Sequence, residues 1–217
     1  MKKTDRVKTI IMRLEEIYPE TPIPLDHQNN FTLLIAVVLS AQSTDKKVNE
    51  LTKQLFKMAS CPEAMYKLGE HKIYNYIKQL GLAKTKAKNI YNLSKIIIEK
   101  YNNILPNSFK ELESLPGVGH KTASVVMSQV FGVPAFPVDT HVHRLSQRWG
   151  LTSGKSVIQT ENDLKNLFPR NLWNKLHLQI IFYGREYCSA RGCNGTICRL
   201  CKELYPSRKD PVICSKA

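Results

Sequence analysis

Lys121 lies directly after a short turn with two glycines, in the stretch LPGVGHKTA (residues 115–123). A solvated surface lysine is protonated and chemically inert at neutral pH. Near the positive N-terminal end of a helix in a basic protein, the ammonium form is disfavoured and a free amine becomes accessible. Such an amine attacks electrophilic carbon and forms Schiff bases. The stretch therefore indicates either a nucleophilic lysine or an ordinary solvated one.

The two glycines of this turn, Gly117 and Gly119, flank Val118, and an apolar-periodic segment starts directly after them. Glycines tolerate the backbone angles of a tight connection between two helices, which explains them without any ligand. At a helix N terminus, however, unpaired N–H groups point outwards and can bind a phosphate. We therefore expect a helical hairpin whose residues Gly117, Val118 and Gly119 contact a DNA backbone without reading its sequence.

A carboxylate with a second possible role occurs in PVDTHVHR, where Asp139 precedes a helical pattern. The simplest interpretation of Asp139 is a helix N-cap. The stiff approach through Pro137 and the short distance along the chain from Lys121 also allow the carboxylate to return towards the amine. There it could stabilise positive charge developing on a sugar or relay protons.

Cysteines are concentrated at the end of the chain, which holds five of the six. Cys188, Cys193, Cys198 and Cys201 have the spacing C-x4-C-x4-C-x2-C, and Cys214 follows. Four thiols so close together, in a reducing compartment, indicate a metal or iron–sulfur site rather than disulfides. Zinc and a 4Fe-4S cluster both take four thiolates, so the spacing leaves both open. Cys214 could replace one of the four ligands.

Apolar residues recur with helical spacing along almost the whole chain, and strand-like alternation is nearly absent. The N-terminal segment places Val7, Ile10, Ile11, Leu14 and Ile17 on one face. Ser108, followed three residues later by Glu, has the signature of a capping box for a short helix before the turn. These patterns predict an all-α protein with about ten helices.

The charge balance indicates a polyanionic partner. The 217 residues include 32 Lys and Arg against 18 Asp and Glu, a formal net charge of +14. Such an excess in a small chain is typical of proteins that bind nucleic acid. No secretory signal opens the sequence, and no apolar run is long enough to cross a bilayer. We expect a protein of the cytoplasm, associated with the bacterial nucleoid, or of another compartment that contains DNA, neither membrane-bound nor secreted.

The motifs LSAQSTD, LPGVGHKTA and VDTHVHRL together resemble the endonuclease III family of helix-hairpin-helix DNA glycosylases, and the resemblance extends from about Phe31 to Cys201. It implies a two-domain all-α fold with the active site in the cleft between the domains. Residues 24–133 would form a six-helix barrel that contains the hairpin. Residues 1–23 and 134–217 would form a second helical domain that contains the iron–sulfur loop.

The resemblance also implies roles for individual residues. Lys121 would attack C1′ of a damaged nucleotide, displace the base and cut the strand on its 3′ side by β-elimination, with help from Asp139. Gln42 would fill the space of the flipped base, and Leu82 would be an apolar wedge in the other strand. Without that role, Gln42 is a polar residue ending a buried helix and Leu82 a hydrophobic contact after a turn.

The family has a 4Fe-4S cluster at this place, normally with the spacing C-x6-C-x2-C-x5-C, which this sequence does not match. The cysteines Cys188, Cys193, Cys198 and Cys201 would hold the cluster and fix a basic loop with Arg191 and Arg199 against DNA. Two further departures are His120, where the family usually has arginine or lysine, and Tyr183, where a histidine is common.

The leading hypothesis is a bifunctional glycosylase and AP lyase, a monomer that removes oxidised pyrimidines from double-stranded DNA containing damaged or abasic sites. One alternative is a monofunctional glycosylase of the mismatched-adenine type, which lacks the lysine. The other is a non-catalytic DNA-binding module, for which Asp139 and Gln42 would be superfluous.

Overall fold

The computed structural model describes residues 1–217 and contains twelve α-helices and no β-strand. The helices are α1 (Lys3–Ile17), α2 (Asn30–Ser40), α3 (Asp45–Met58), α4 (Pro62–Leu68), α5 (Glu70–Ile77), α6 (Ala83–Tyr101), α7 (Phe109–Glu113), α8 (His120–Val130), α9 (Thr140–Arg148), α10 (Val157–Leu167), α11 (Trp173–Glu186) and α12 (Arg199–Leu204), with a 3₁₀ turn at Arg170–Leu172. The predicted all-α class is confirmed.

The chain divides into two compact units. The central unit consists of residues 23–133 and contains α2 to α8, and the terminal unit consists of residues 1–22 and 134–217. Each unit has its own apolar core. Each of the candidate functional residues lies in one of these two units.

The central unit is built around α2, whose residues 31–39 are all buried. A helix that is apolar on every side must be surrounded by other helices, and α3, α6 and α8 pack against it. Its start is fixed by a capping box in which Asn29 accepts from the Thr32 N–H at 2.9 Å. The long α6 packs against α2, α4 and α5, and its Asn89 side chain lies against the Gly117 position of the hairpin.

In the terminal unit, α11 packs against both α1 and α9. The N-terminal helix buries Val7, Ile10 and Leu14, three of the five residues predicted to share its apolar face. Ile17 is 39% exposed because α1 ends there.

Two short helices were not predicted from periodicity, namely α4 and α12. Each spans at most two turns, which is too short for an apolar repeat to establish itself. Their starts are fixed by the local chain, with Pro62 in the first turn of α4 and Cys198 as the N-cap of α12. None of the helices combines the length and apolar character needed to span a membrane.

Candidate active site and cysteine centre

The hairpin between α7 and α8 is held to the core of the central unit by apolar side chains. Leu115 and Val118 are 2% and 4% exposed, and the Val118 N–H donates to the Leu115 carbonyl at 3.1 Å. Ser108 caps α7 by accepting from the Glu111 N–H at 3.3 Å, and it donates to the Glu111 carboxylate at 2.7 Å. The Val118 side chain therefore faces the protein, and only the backbone of this residue could meet a ligand.

The two glycines of the hairpin differ in what requires them. Gly117 has φ +80°, and a Cβ there would lie 2.8 Å from the Asn89 amide nitrogen on α6. Gly119 has an ordinary φ of −90°, and a Cβ there would meet no atom within 4 Å. The fold itself therefore explains Gly117, whereas nothing inside the chain requires a glycine at the N-cap of α8.

Lys121 lies in the first turn of α8, and its side chain is exposed. It forms no ion pair with a carboxylate of the chain. The neighbouring His120 has its Nδ1 2.7 Å from Glu113 Oε1, and its ring stacks on Phe109 with centroids 5.8 Å apart. The Glu113 carboxylate is thus engaged by His120, and the Lys121 amine next to it in sequence is exposed to solvent.

Asp139 is the N-cap of α9, as the simplest interpretation of the sequence predicted. Its Oδ1 accepts from the Val142 N–H at 2.8 Å. The cap uses one carboxylate oxygen, so Oδ2 stays available to a substrate. Asp139 belongs to the terminal unit and Lys121 to the central unit, and their pairing stays a prediction.

Gln42 and Leu82 lie on two turns that meet within the central unit. A Cβ on Gly81 would lie 3.7 Å from the Gln42 carbonyl oxygen. Both residues have left-handed backbones, with φ +54° for Gln42 and +59° for Leu82. This conformation costs a non-glycine residue about 1–2 kcal/mol. Both side chains are exposed, Leu82 by 58%, so two strained turns present an amide and an apolar side chain to the outside.

The four cysteines expected to share a site are brought together in the terminal unit. The sulfur atoms of Cys188, Cys193, Cys198 and Cys201 all lie within 4.8 Å of one another, and all four residues are buried. Cys188 follows α11, Cys198 caps α12 and Cys201 lies within it. Four buried thiols at this distance can hold a metal ion.

Cys214 stays outside this group. Its side chain is half-buried, and its Sγ lies 3.7 Å from the Arg144 carbonyl oxygen. The C-terminal residues nevertheless pack over the cysteine loop, since the Val212 N–H donates to the Asn194 carbonyl at 2.8 Å. Arg191 on this loop and Arg199 at the first position of α12 are both exposed.

Two arginines on α9 form hydrogen bonds to the cysteine loop. The sequence did not predict them as site residues. Arg148 is 4% exposed and donates to Cys188 Sγ at 3.3 Å and to the carbonyls of Cys188, Ser189 and Ala190. Arg144 donates to the Cys188 carbonyl at 3.0 Å. Burial alone would lower the pKa of Arg148, but its hydrogen bond to the Cys188 thiol raises it overall. Their spacing of four residues on a largely buried helix was the signal that could have revealed them.

The structure also shows a role for Tyr183, the residue that stands where a histidine is common in the family. Its hydroxyl is buried and accepts from the Leu200 N–H at 3.1 Å, beside the first turn of α12. Burial raises the pKa of Tyr183, as does a hydrogen bond with Cys198. Tyr183 is therefore a neutral phenol that connects α11 to the cysteine-bearing helix.

Replacing Arg148 with methionine should weaken the cysteine centre. The change removes the four hydrogen bonds from Arg148 to three loop carbonyls and one thiol, although the Cys188 carbonyl keeps its donor in Arg144 and the Ser189 carbonyl keeps the Cys193 N–H. Supporting hydrogen bonds of this kind are worth roughly 10-fold or more in metal affinity. We expect the variant to lose metal to a chelator faster, and we expect its free energy of unfolding to be lower by about 1–3 kcal/mol. Arg170→Met, at an exposed position of the same unit, is the matched control. Equal metal retention by both variants would contradict the supporting role.

Comparison with known proteins identifies the family. The model of the HhH-GPD superfamily of base excision DNA repair proteins matches residues 35–170. Endonuclease III of Rickettsia prowazekii is 44% identical over 191 residues, which cover 85% of this chain and 90% of that protein. Endonuclease III of Bacillus subtilis is 42% identical over 202 residues, covering 91% and 92%. The chain belongs to the endonuclease III family.

Solved structures agree with this membership. A trapped covalent intermediate of endonuclease III with DNA superposes on this chain with a TM-score of 0.87 at 40% identity, covering 92% of this chain and 94% of that one. A non-covalent endonuclease III–DNA complex superposes equally well. A thermostable thymine-DNA glycosylase shares the fold at 22% identity and a TM-score of 0.78. This endonuclease III family member is thus a bifunctional base-excision-repair enzyme, a DNA glycosylase and AP lyase that binds DNA.

Proposed function

We propose that this enzyme removes oxidised pyrimidines from double-stranded DNA and cleaves the strand 3′ to the abasic site, with Lys121 as nucleophile and Asp139 as its assistant. The observation that carries the proposal is the exposed amine of Lys121, without an ion pair, two residues after an N-cap glycine that nothing inside the chain requires.

In the proposed reaction the neutral amine of Lys121 attacks C1′ of the damaged nucleotide. The bond from C1′ to the base breaks, and the base leaves with the electron pair and takes up a proton. The bond from C1′ to the ring oxygen O4′ then breaks, and transfer of the second proton from nitrogen to O4′ leaves a Schiff base between Lys121 and C1′. Removal of a proton from C2′ then expels the 3′ phosphate, and hydrolysis of the imine returns the lysine.

Asp139 is proposed to stabilise the positive charge that develops on the sugar as the base leaves, or to relay the protons of the displacement. Its geometry supports both roles, because the cap occupies Oδ1 while Oδ2 makes no hydrogen bond within the chain. The cap also limits the rotation of the side chain, so the carboxylate meets the substrate in a defined orientation.

The hairpin is proposed to bind the phosphate backbone beside the damaged nucleotide. The first N–H groups of α8 have no partner within the helix, and the helix dipole favours an anion there. The open space beside Gly119 would let a phosphate approach the backbone. Gln42 and Leu82 are proposed to enter the duplex from their adjoining turns, Gln42 into the space of the flipped base and Leu82 into the opposite strand.

Alanine replacements of the two glycines should separate binding from stability. Gly117→Ala forces alanine to φ +80° against Asn89, and we expect it to lower the free energy of unfolding by about 1–2 kcal/mol. Gly119→Ala should change stability by less than about 1 kcal/mol. It should nevertheless weaken DNA binding roughly tenfold, the equivalent of one lost hydrogen bond to a charged group. Unfolding curves and fluorescence anisotropy measure the two effects, and unchanged DNA affinity of Gly119→Ala would contradict the phosphate contact.

The cysteine centre is proposed to hold a 4Fe-4S cluster through Cys188, Cys193, Cys198 and Cys201. Four buried thiols with Arg148 beside one of them match the thiolate donor set of such a cluster. Bound through these four cysteines, a cluster would hold the loop with Arg191 against the start of α12 with Arg199, so that both exposed arginines could face a DNA backbone. Broad visible absorbance and four irons per chain after anaerobic purification support the cluster, whereas colourless protein with one zinc would overturn this choice.

The test of the function is borohydride reduction of the wild-type enzyme with a duplex carrying one oxidised thymine. We expect a covalent protein–DNA adduct that peptide mapping assigns to Lys121, and a cleaved strand when borohydride is omitted. Base release with an intact strand would favour the mismatched-adenine type of glycosylase. Binding without adduct or base release would favour a non-catalytic module. We further expect one enzyme monomer per lesion, which light scattering of the complex measures.

A further inference from the structure

Lys86 is a buried lysine that the reaction does not use. Its side chain is 4% exposed, and it lies in the first turn of α6. Lysine is rarely buried without a charged partner, yet Lys86 forms no ion pair with a carboxylate of the chain. A cation is also unfavourable near the N terminus of its own helix. Its position therefore requires an explanation outside α6.

The ammonium group of Lys86 is surrounded by acceptors from one turn. It donates to the carbonyls of Leu39 at 3.0 Å and Ala41 at 2.7 Å, and to Ser43 Oγ at 3.1 Å. An ammonium has three N–H donors, so three acceptors match it fully. Two of these acceptors end α2, which has no basic residue in its own last turn. Lys86 thus supplies the cation that stabilises a helix C terminus.

The three acceptors enclose Gln42. Ala41 and Ser43 are its immediate neighbours, and Gln42 itself has the strained left-handed backbone. Fixing the groups on both sides of a residue limits the φ and ψ values that the residue can adopt. Gln42 is exposed and its side chain makes no hydrogen bond in the chain, so the conformation of this turn depends on the contacts of its neighbours.

The same lysine is joined to the Leu82 turn. The Lys86 N–H donates to the Leu82 carbonyl at 2.9 Å, which closes the first turn of α6. The Gly81 position lies against the Gln42 carbonyl. One residue therefore links, by its backbone and by its side chain, the two turns that carry Leu82 and Gln42.

We infer that Lys86 is a positioning residue, which holds Gln42 in the conformation that fills the space of the flipped base and keeps it in register with Leu82. The inference rests on the proposed function of Gln42 and Leu82. The carbonyls of Leu39 and Ala41 would otherwise be free to turn towards water, and the Gln42 turn would relax from its left-handed conformation.

The test uses Lys86→Met, which keeps the length and apolar body of the side chain and removes its donors. Base flipping is followed by 2-aminopurine fluorescence beside a lesion in duplex DNA, and base excision by single-turnover kinetics. We expect Lys86→Met to lower both roughly tenfold or more, as small misplacements of positioned groups do, with little change in the enzyme concentration that half-saturates the single-turnover rate. Lys95→Met, on an exposed part of the same helix, is the matched control and should behave as wild type.

A merely structural role is separated from positioning by a double-mutant cycle. If Lys86 acts through Gln42, Gln42→Ala and Lys86→Met lower flipping by similar factors, and the double variant is no worse than either single one. The inference would be overturned if the fold-losses of the two single variants multiplied in the double variant, or if Lys86→Met flipped bases as well as wild type. Should Lys86→Met fail to fold, Ser43→Ala takes its place. Introduced into the wild-type protein, Ser43→Ala should lower base flipping at least roughly twofold. Introduced into Gln42→Ala, it should cause no further loss. Unchanged flipping by Ser43→Ala in the wild-type background would then overturn the inference.

A single-stranded abasic oligonucleotide distinguishes this inference from the proposed function. No base pair has to open there, so Lys86→Met should still form the borohydride adduct as wild type does. If wild type forms no adduct with either DNA, the proposed function of Lys121 fails. If wild type forms it with both and Lys86→Met flips bases normally, only the role of Lys86 fails.

Discussion

Lys121→Ala should lose the borohydride-trapped adduct completely and lower strand cleavage at abasic sites on the order of 10³-fold or more, as removal of a nucleophile does. The reason is chemical, because no Schiff base can form without the amine. Binding to abasic duplex DNA should persist, since the hairpin backbone that is proposed to hold the phosphate is unchanged. Gel assays of trapping and cleavage, with anisotropy for binding, measure these outcomes.

Two further variants sharpen the test of Lys121. Lys121→Arg places a cation of similar length at the same position but cannot supply a neutral amine, so it should bind nearly as well as wild type and form no adduct. Lys110→Ala removes an exposed lysine from α7 of the same hairpin and should form the adduct normally. An adduct retained in Lys121→Ala would assign the nucleophile to another residue.

Asp139→Asn is expected to have the second largest effect, a loss of roughly 10²–10⁴-fold in base excision, the usual contribution of a positioned acid or base. Asparagine caps a helix as well as aspartate does, so the bond to the Val142 N–H should persist. The free energy of unfolding should therefore change by less than about 0.5 kcal/mol. Single-turnover release of an oxidised thymine measures the chemical effect, and denaturant unfolding measures the structural one.

Asp139→Ala provides the contrast, since it removes both the charge and the cap. It should be as inactive as Asp139→Asn but also less stable, by about 1 kcal/mol. If Asp139→Asn excises bases at the wild-type rate while Asp139→Ala is only less stable, Asp139 is a cap and nothing more.

Local patterns predicted much of this protein correctly. The Ser108 cap and the Asp139 cap each depend on residues within four positions, and the structure has both. The reciprocal half of the predicted capping box at Ser108 is not formed, because the Glu111 carboxylate accepts from the Ser108 hydroxyl instead of the Ser108 backbone N–H. The spacing of the cysteines predicted their grouping, and their sulfur atoms do meet. The unusual spacing relative to the family did not prevent this, because the turns between the cysteines bend to bring the thiols together.

The supporting residues could not be predicted in this way. Arg148 lies 40 residues from Cys188, and Tyr183 lies 17 residues from the Leu200 amide that it accepts from. No local period connects such pairs, because their contact follows from how α9, α11 and α12 pack. The two glycines of the hairpin look equivalent in sequence, but only the packing of α6 distinguishes the one required by the fold from the one that is not.

By itself, the sequence determined the helical class, the caps, the chemical groups and the family, because helical periods, side-chain chemistry and short motifs are properties of neighbouring residues. Only the tertiary structure decided which buried groups support them. Lys86 reaches the Ala41 carbonyl across 45 residues of chain, and its ammonium could be buried only where a helix end offered carbonyls to receive it. Burying a charge requires compensation, and the folded chain alone determines where that compensation is found.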